Sequence, residues 1–304
     1  MQKSADMSVC VIGLGSMGFG MAASLLRAGF SVTGYDLNAD AMARLVALGG
    51  KAGQNPAEAA SGANVVLCVV VNAAQTESAL FGPDGAASAM AQGGVILSCA
   101  TMPPDAARDF AARAAKAGQD YLDTPISGGA VRAAAGELTI MASGKAAVFA
   151  RVRSVLDCIA TKVYELGEEA GVGAAFKIVN QLLAGVHIAA ACEAITFAKA
   201  MDLDIAKVYE VITASAGNSW MFENRVPHIL EGDYSPRSAV DIFTKDLGII
   251  SDMGRGMKFP TPIASMALQM FVMTAAAGMG RDDDASVARM IAGLAGLDLP
   301  GLER

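Results

Sequence analysis

The sequence predicts an α/β protein in which a doubly wound parallel sheet is followed by an all-α domain. Short apolar runs alternate with amphipathic helical segments as far as about Gly167, which is typical of a sheet with helices on both faces. A glycine-rich loop directly follows the first apolar run, and no strand-like run interrupts the chain after Gly171. We therefore predict a sheet domain over residues 1–168 and an all-α domain over residues 169–304.

The first strand, loop and helix are the most informative stretch of the chain. Val9–Ile12 is a short apolar run with β-branched residues, as expected of a strand that is buried on both faces. The loop Gly13–Gly18 has the spacing GxGxxG, and a helical apolar pattern follows over residues 19–28. A second strand, Ser31–Tyr35, ends immediately before Asp36. This order of strand, loop, helix, strand and acid predicts a Rossmann-type dinucleotide-binding unit.

The glycines of the loop have separate predicted roles. Gly13 permits a tight turn, Gly15 lets a pyrophosphate approach the backbone, and Gly18 lets the helix pack closely on the strand. The N–H groups at the start of the helix then bind the phosphates. Asp36 would accept hydrogen bonds from the adenosine ribose and repel a 2′-phosphate, so we predict NAD rather than NADP. The predicted cofactor-binding residues of the loop are Gly13, Leu14, Gly15, Ser16, Met17 and Gly18. A glycine-rich turn in another kind of α/β protein is the alternative.

Further strands are predicted where apolar runs recur. The run Val65–Val71 is long enough for a central parallel strand, and Asn72 follows it at the carboxyl end, where open α/β sheets bind ligands. Thr101 follows the next predicted strand in the same way. The other predicted strands are Val95–Cys99, Gln119–Asp123, Leu138–Ser143 and Lys162–Glu165, with helices over Ala39–Ala47, Gln75–Leu80, Asp105–Ala117 and Ala146–Cys158.

The second half of the chain is predicted to be helical throughout. Residues 171–200 contain no proline and carry alanine and aliphatic residues on every side, which predicts one long, largely buried helix. Further helices are predicted over Asp204–Ala214, Asp241–Met257, Pro262–Ala277 and Ser286–Leu294. The abundance of apolar residues in this half predicts a subunit interface, and hence a homodimer or homotetramer. The residues that suggest it are Met266, Leu268, Met270, Phe271, Val272 and Met273.

The composition argues against several classes of partner. The 304 residues are 53% hydrophobic and 17% charged, which suits a folded chain with a large core. A net charge of −7 and the lack of basic runs argue against nucleic acid and anionic membranes. The most apolar later stretch, Leu182–Ile195, contains His187 and Glu193, so we predict no membrane span.

Compartment and metal content are also constrained. The segment Met1–Asp6 lacks the apolar core of a signal peptide, so we expect a cytoplasmic protein. The five cysteines form no CxxC pair, and we interpret them as buried thiols in a reducing compartment. The two histidines lie in no close cluster with cysteines and acids, so no metal site is predicted.

Lys177 is the candidate for acid–base chemistry. It lies at i, i+3 and i+4 spacing with Asn180 and Gln181 on one helical face, among neighbours that are almost all apolar. Partial desolvation would disfavour the charged ammonium and favour the neutral amine that can take a proton. The alternative is a lysine on an exposed stripe, with its stem packed and its head in water. The residues alone leave both interpretations open.

Other candidate groups have simple structural explanations. The segment Ser127–Gly129 offers a hydroxyl and unhindered N–H groups that suit a carboxylate, but a plain turn explains it equally well. Lys245 and Asp246 are more simply interpreted as a surface ion pair. His187 is expected to be a core histidine. Since nothing around Ser127 resembles a nucleophile elbow, a Ser–His–Asp triad is rejected.

Four blocks of sequence, in order, resemble the β-hydroxyacid dehydrogenase family, which includes 3-hydroxyisobutyrate dehydrogenase, tartronate semialdehyde reductase and 6-phosphogluconate dehydrogenase. The blocks are spread along the whole chain, at Gly13–Gly18, Asp123–Gly129, Gly171–Gln181 and Phe243–Leu247. Two further stretches, Val71–Glu77 and Gly217–Arg225, look most like the branch of the family that acts on L-threonate.

The resemblance implies roles for individual residues. Lys177 matches the family's catalytic lysine, the general acid/base that moves the hydroxyl proton while hydride passes to the nicotinamide. The implied substrate-binding residues are Ser127, Gly128, Gly129, Asn180 and Lys245. The implied cofactor-lining residues are Val71, Asn72, Thr101 and again Lys245. Many members have two adjacent asparagines where this chain has Asn180 and Gln181. Gln181 in place of the second asparagine is expected to affect how the substrate fits more than the catalysed reaction.

The resemblance therefore implies an NAD-dependent oxidoreductase of small hydroxy acids, and its narrower form implies oxidation of L-threonate at C2 to 2-oxo-tetronate. The nearest alternatives are a tartronate semialdehyde, succinic semialdehyde or glyoxylate reductase and a 3-hydroxyisobutyrate dehydrogenase, because one hydroxyl or methyl group in the pocket decides between them. A non-catalytic NAD-binding module is the alternative from another class, and the presence of Lys177 argues against it.

Overall fold

A computed structural model describes residues 7–302, so the inference from Met1–Asp6 falls outside the described residues. The chain divides into two compact units between Ile178 and Val179, and the division falls within one helix, Val172–Ala200. The domain boundary between residues 168 and 169, where predicted strands give way to predicted helices, stays a prediction.

The first unit is built on a six-stranded parallel sheet. Its strands are β1 Ser8–Ile12, β2 Ser31–Tyr35, β3 Lys51–Ala52, β4 Val65–Cys68, β5 Val95–Ser98 and β6 Asp120–Asp123. They lie in the order β3-β2-β1-β4-β5-β6, and every pair is parallel. This is the strand order of the doubly wound dinucleotide-binding fold, and it confirms the predicted fold class.

Helices cover both faces of this sheet. They are α1 Gly18–Arg27, α2 Ala39–Ala47, α3 Pro56–Ala59, α4 Ala73–Phe81, α5 Pro104–Lys116, α6 Gly129–Ala135 and α7 Ala146–Ile159, with a 3₁₀ turn over Ala86–Ser88. Alternate residues of β1 enter two separate apolar cores: Val9 and Val11 lie in one, Cys10 and Ile12 in the other. The central strands are therefore buried on both faces, as their continuous apolar runs predict.

A second, smaller sheet departs from the prediction of one continuous sheet. Its strands are β7 Ile126–Ser127, β8 Leu138–Ala142 and β9 Ala160–Glu165. β7 is antiparallel and β9 parallel to β8, and a bridge between Asp123 and Ser143 joins this sheet to the end of β6. An apolar run predicts a strand but not its partner, so the sequence alone could not separate the two sheets.

The apolar run Val65–Val71 is longer than the strand it forms. β4 ends at Cys68, which pairs with Ile12 of β1 and with Ser98 of β5. Both neighbouring strands end at these partners, so the residues after Cys68 have no ladder to join. Val71 is 42% exposed, and the prediction of a strand reaching to it is wrong at that end.

The second unit is all-α, as predicted. It holds the part of α8 Val172–Ala200 beyond Ile178, then α9 Ile205–Thr213, α10 Trp220–Glu231, α11 Val240–Met257, α12 Pro262–Thr274 and α13 Val287–Ala295, with a π-helical turn over Ala275–Met279 and a 3₁₀ turn over Asp284–Ser286.

Helix α10, which contains Pro227, is absent from the predicted helices. A proline has no N–H to donate to the carbonyl four residues before it, which here belongs to Glu223. The Tyr209 hydroxyl donates to that carbonyl oxygen instead, at 3.1 Å. The Ser219 hydroxyl accepts the N–H of Phe222 at 3.0 Å and caps the start of the helix. These contacts support a helix that the sequence pattern alone does not predict.

The apolar residues of α12 divide between core and surface. Met266 is 68% exposed and Met273 is 44% exposed, whereas Phe271 is fully buried and stacks on Phe243. The assignment of Phe271 to a subunit interface is therefore wrong, because the amphipathic face that carries it points into the core.

Two helices are long and apolar enough to cross a membrane by length and composition: α8 and the segment Pro262–Met279. In α8, 50% of the most apolar window is buried within the protein, against 22% in Pro262–Met279. A buried core helix meets the same criteria, so the expectation of no membrane span stays a prediction.

Candidate active site

The carboxyl ends of β2, β1, β4 and β5 form one edge of the main sheet. The last residues of these strands lie side by side in the ladder. The predicted cofactor-binding residues come directly after these strand ends, namely the loop Gly13–Gly18, Asp36, Val71, Asn72 and Thr101. The structure thus brings them to one edge, where open α/β sheets bind ligands.

Two of the three loop glycines are required by packing, and the third faces open space. Gly13 has φ of +92°, and a Cβ there would collide with the carbonyl oxygen of Val69. A Cβ at Gly18 would collide with the carbonyl oxygen of Gly13. At Gly15, no heavy atom of the described chain lies within 4 Å of an added Cβ. A side chain at Gly15 would therefore obstruct only a bound molecule.

The loop glycines give a paired prediction. We expect Gly18→Ala to destabilise the protein by roughly 1–3 kcal/mol, because a methyl group is forced into a filled space. We expect Gly15→Ala to keep the wild-type melting temperature but to bind NAD about tenfold more weakly, a difference of about 1.4 kcal/mol. Thermal denaturation and isothermal titration calorimetry with NAD measure the two effects. Wild-type NAD affinity in Gly15→Ala would contradict this role for the loop.

The start of α1 suits a phosphate group. The helix begins at Gly18, no side chain caps it, and its first turn holds no acid. The N–H groups of a first helical turn have no acceptor within the helix, and the helix dipole favours an anion there. Together with the open space at Gly15, this end of α1 fits the pyrophosphate of a dinucleotide.

Asp36 is held against the glycine loop. Its Oδ2 accepts the N–H of Leu14 at 2.5 Å, and its Oδ1 accepts the N–H of Asn38 at 2.8 Å. The N–H of Leu14 is therefore directed at Asp36 rather than at a phosphate. Each carboxylate oxygen has a second lone pair, so Asp36 can still accept from the hydroxyls of a ribose.

The loop after β4 is fixed by side chains. Oδ1 of Asn72 accepts the N–H of Gln75 at 2.8 Å and caps α4, while the N–H of Val71 donates to Oε1 of Gln75 at 2.9 Å. These bonds hold the exposed side chain of Val71 at the sheet edge. Thr101 is half-buried just beyond β5.

The segment Ser127–Gly129 turns the chain from β7 into α6. Ser127 is half-buried, and Gly128 and Gly129 have φ of +140° and +78°. These backbone angles are ones that glycine adopts readily and other residues do not. The two glycines therefore make a turn, and the Ser127 hydroxyl lies at its start.

The first turn of α8 is anchored by two side chains of the sheet region. Oδ2 of Asp123 accepts the N–H of Gly171 at 3.0 Å and of Ala174 at 2.7 Å. Oγ of Ser143 accepts the N–H of Gly173 at 3.0 Å. Both acceptors are fully buried. Sequence reasoning did not assign a role to Asp123 or Ser143, although the position of Asp123 at the end of a strand was a usable signal.

Burial raises the pKa of Asp123 to about 6, against the hydrogen bonds from Ala174 and Gly171, which lower it. Removal from water disfavours the charged carboxylate more than two backbone donors stabilise it. An ionised Asp123 would also interact favourably with the positive end of the α8 dipole. This carboxyl group therefore titrates about two pH units above an ordinary aspartate.

Lys177 lies one turn beyond this anchored end of α8 and is only 8% exposed. The interpretation of Lys177 as part of an exposed stripe is therefore wrong. Its neighbour Phe176, in contrast, is 53% exposed. Burying an amine disfavours its charged form unless a partner stabilises that charge.

Four polar residues of the second unit form a connected chain. Lys245 Nζ lies 2.7 Å from Oδ1 of Asp246, which is 1% exposed. Gln181 Nε2 donates to Oδ2 of Asp246 at 2.5 Å, and Asn180 Nδ2 donates to Oε1 of Gln181 at 2.9 Å. Lys245 and Asp246 are thus a largely buried pair and not a surface ion pair, because α11 turns Asp246 toward Gln181.

Of the two histidines, His228 is buried and His187 is only half-buried. His187 is half-buried and lines a cavity of about 810 Å³ within the second unit, so the prediction of a core histidine is wrong. His228 is 2% exposed, with Nδ1 lying 2.8 Å from Oδ1 of Asp283. Within residues 7–302, no three His, Cys, Asp or Glu side chains are grouped so that they could hold a metal ion.

Comparison with known proteins covers both halves of the chain. The family described as the NAD binding domain of 6-phosphogluconate dehydrogenase matches residues 8–167. The family described as NAD-binding of NADP-dependent 3-hydroxyisobutyrate dehydrogenase matches residues 171–291.

Individual relatives match over nearly their full length. L-threonate dehydrogenase of Cupriavidus necator is 52% identical over 294 residues, which are 97% of this chain and 98% of the relative. L-threonate dehydrogenase of Escherichia coli K12 is 45% identical over 302 residues, 99% of each chain. A crystal structure described as 3-hydroxyisobutyrate dehydrogenase from Salmonella typhimurium superimposes with a TM-score of 0.89 at 47% identity, covering 94% of this chain and all of the other.

Proposed function

The chain belongs to the β-hydroxyacid dehydrogenase family, and we propose that it oxidises L-threonate at C2 with NAD to give 2-oxo-tetronate. The observation that carries this proposal is the similarity, at 45–52% identity over nearly the whole chain, to relatives named L-threonate dehydrogenase. The buried Lys177 is a group that could perform the proton transfer that such an oxidation needs.

Lys177 acts as the general base in the proposed reaction. Its neutral amine takes the proton of the C2 hydroxyl, and the carbon–oxygen bond becomes a carbonyl as the C2 hydrogen departs with its electron pair. Bound NAD would supply the hydride acceptor, and the loop Gly13–Gly18 and the start of α1 would hold it. Asp123 and Ser143 hold the first turn of α8 and so limit the movement of Lys177. In the reverse reaction the ammonium form returns the proton.

Substrate binding is assigned to neutral hydrogen-bonding groups and to one positively charged side chain. The hydroxyl of Ser127 and the N–H groups of Gly128 and Gly129 would bind the substrate carboxylate. Asn180 would bind a substrate hydroxyl through its amide. Lys245, balanced by Asp246, would supply positive charge to the substrate and to the cofactor. These assignments rest on the family motifs that the residues match.

Use of a nicotinamide cofactor follows from the family, and the preference for NAD is our proposal. Asp36 lies beside the glycine loop through its bond to Leu14. A carboxylate at this point can bind two ribose hydroxyls, and it repels the 2′-phosphate of NADP. The end of α1 and the loop would hold the pyrophosphate.

The cofactor preference is tested with Asp36→Ala. We expect the ratio of kcat/KM with NAD to kcat/KM with NADP to fall about tenfold or more, because a hydrogen bond to a charged group contributes roughly 1.5–3 kcal/mol. Since Asp36 also holds Leu14, both cofactors should bind more weakly, and the ratio isolates the recognition of the ribose. The exposed Asp40→Ala on α2 is the control. An equal loss with both cofactors would argue against selection by Asp36.

The function itself is tested by NADH formation with a panel of hydroxy acids. We expect L-threonate to have the highest kcat/KM, ahead of D-erythronate, glycerate and 3-hydroxyisobutyrate. The 2-oxo product should be identified by mass spectrometry. With C2-deuterated L-threonate the deuterium should pass to the reduced nicotinamide, whereas a boiled control should leave the label on the substrate. Failure of L-threonate to react in either direction would refute the proposal.

A second candidate function is oxidation of 3-hydroxyisobutyrate, favoured by the description of the Salmonella typhimurium structure. The reacting hydroxyl of 3-hydroxyisobutyrate is on C3, one carbon further from the carboxylate than the C2 hydroxyl of L-threonate, and its C2 carries a methyl group. Reduction of tartronate semialdehyde, succinic semialdehyde or glyoxylate is tested in the same panel with NADH. The substrate with the highest kcat/KM decides between these candidate functions.

We also propose that the protein assembles as a homodimer or homotetramer. In the second unit, Ile263 and Met266 are each 68% exposed, and Met257 and Phe259 are 65% and 63% exposed. Clustered apolar side chains of this size are unusual on a monomer surface. Analytical ultracentrifugation at micromolar concentration should give a mass of two or four chains, and a monomer would refute the proposal.

A further inference from the structure

We propose that Gln181 is a positioning residue that fixes the amide of Asn180 and thereby selects hydroxy acids with a second hydroxyl group. The inference rests on the proposed function, since it places Asn180 at the substrate. Its basis is the chain of contacts from Lys245 through Asp246 and Gln181 to Asn180.

The donors and acceptors of this chain permit one arrangement. An ionised carboxylate only accepts, so Asp246 requires the NH₂ end of the Gln181 amide, which lies 2.5 Å from its Oδ2. The carbonyl end of Gln181 is then turned to Asn180, where it accepts from Nδ2 at 2.9 Å. The Oδ1 atom of Asn180 must therefore lie on the opposite side of its amide from Gln181.

The arrangement is rigid because its anchor is buried. Asp246 is 1% exposed and Gln181 is 7% exposed, so water does not compete for either end of the Gln181 amide. Lys245 balances the charge of Asp246 at 2.7 Å. An asparagine at position 181 would be one methylene shorter and could not reach Asp246 and Asn180 from the same backbone position. The glutamine thus gives this chain a contact that its family's second asparagine would lack.

The fixed Oδ1 of Asn180 is an acceptor and favours a donor on the substrate. A hydroxyl next to the reacting carbon can donate to it, as in L-threonate. A methyl or methylene group at that place cannot, and would leave the oxygen without a partner once water is excluded. The chemistry that fits is a polyhydroxylated short-chain acid, and simple monohydroxy acids should be rejected.

The test compares two acids that share the reacting centre. L-threonate and the 2-hydroxybutanoate of the same configuration at C2 differ only in the further hydroxyls. We expect Gln181→Met, which keeps the length but removes both hydrogen bonds, to lower the ratio of their kcat/KM values about tenfold or more, the equivalent of one hydrogen bond. Gln119→Met is the matched control, because Gln119 is also buried and donates to a carbonyl, that of Ala87, at 3.1 Å.

Exchanging the amide and the carboxylate between positions 181 and 246 should restore the hydrogen bonds from Asn180 to Lys245. In Gln181→Glu alone, two carboxylates meet and the selectivity should fall. In Gln181→Glu combined with Asp246→Asn, the Asn amide can accept from Lys245 and donate to the glutamate, whose other oxygen accepts from Asn180. We expect this double variant to regain most of the wild-type ratio. If Gln181→Met fails to fold, the comparison of Gln181→Glu with the double variant still tests the role of Gln181.

The outcomes separate this inference from the proposed function. A ratio that falls in the single variants and recovers in the double variant supports the role of Gln181. Equal losses for both acids, or a double variant no more selective than Gln181→Glu, would overturn it and leave a packing role. If wild type oxidises neither acid, the proposed function fails, and the variants have no bearing on that result.

Discussion

Replacing Lys177 with alanine should lower kcat about a thousandfold while leaving NAD binding unchanged. A positioned general base contributes roughly a hundredfold to ten-thousandfold to the rate, and water is a poor substitute where the lysine is 8% exposed. The effect should appear in kcat more than in KM, because the lysine acts on the proton that moves in the transition state. Stopped-flow measurement of NADH formation tests this directly.

Lys199 is the matched control, since it is a lysine near the other end of the same helix. We expect Lys199→Ala to retain wild-type kcat and Lys177→Ala to retain the wild-type dissociation constant for NAD, measured by calorimetry. A Lys177→Ala enzyme with more than a tenth of wild-type kcat would show that another group takes the proton.

Replacing Asp123 with asparagine should remove a loss of stability that wild type suffers between pH 4 and pH 6. The folded-state pKa of Asp123 is about 6, above its usual value of about 3.9. The contribution of Asp123 to the free energy of unfolding is therefore greatest below about pH 4, and it decreases as pH rises through about 6. The shift of about two units corresponds to roughly 3 kcal/mol. The asparagine keeps an acceptor oxygen for Gly171 and Ala174 but carries no charge.

Urea denaturation from pH 4 to pH 8 measures this effect as the difference between the denaturation midpoints of wild type and Asp123→Asn. Relative to wild type, Asp123→Asn should gain stability as pH rises to about 6 and then hold a constant advantage. The exposed Asp109→Asn on α5 should show no such trend. A difference that is independent of pH would mean that folding does not raise the pKa of Asp123.

Much of the first unit could be predicted from the sequence because its signals are local. The strand Ser31–Tyr35 and the helix Ala39–Ala47, with Asn38 as its cap, lie where the pattern puts them. The glycine loop follows β1 as its spacing requires. Strand runs, caps and glycine turns each depend on a few neighbouring residues, so periodicity and residue type suffice.

The features that the sequence missed depend on distant partners. Val69–Val71 has the composition of a strand, but the neighbouring strands have already ended. The helix around Pro227 depends on a hydroxyl from Tyr209, eighteen residues away, which no local rule includes. The separation of β8 and β9 from the main sheet is likewise a matter of pairing.

The candidate site shows the same division. The residue types of the glycine loop and Asp36 predict a dinucleotide without any knowledge of contacts. Lys177 could be identified as a candidate, but its burial could not be decided, because a helix that is apolar on every side has no marked exposed face. The contacts of Gln181 with Asp246 join residues 65 positions apart, so they emerge only from the folded chain.

The two outer edges of the six-stranded sheet affect how readily the newly made protein aggregates. One edge, β3, is only two residues long and begins with the exposed Lys51, and the other, β6, is met at its end by Ser143 through a pair of backbone hydrogen bonds. Long, uncharged edge strands recruit strands from other molecules and begin aggregation. Parallel sheets assemble slowly from distant segments, so partly folded chains persist longer than those of helical bundles. A short, charged edge and an edge that is paired at its end leave such intermediates less backbone with which to recruit one another, which favours soluble accumulation at high expression.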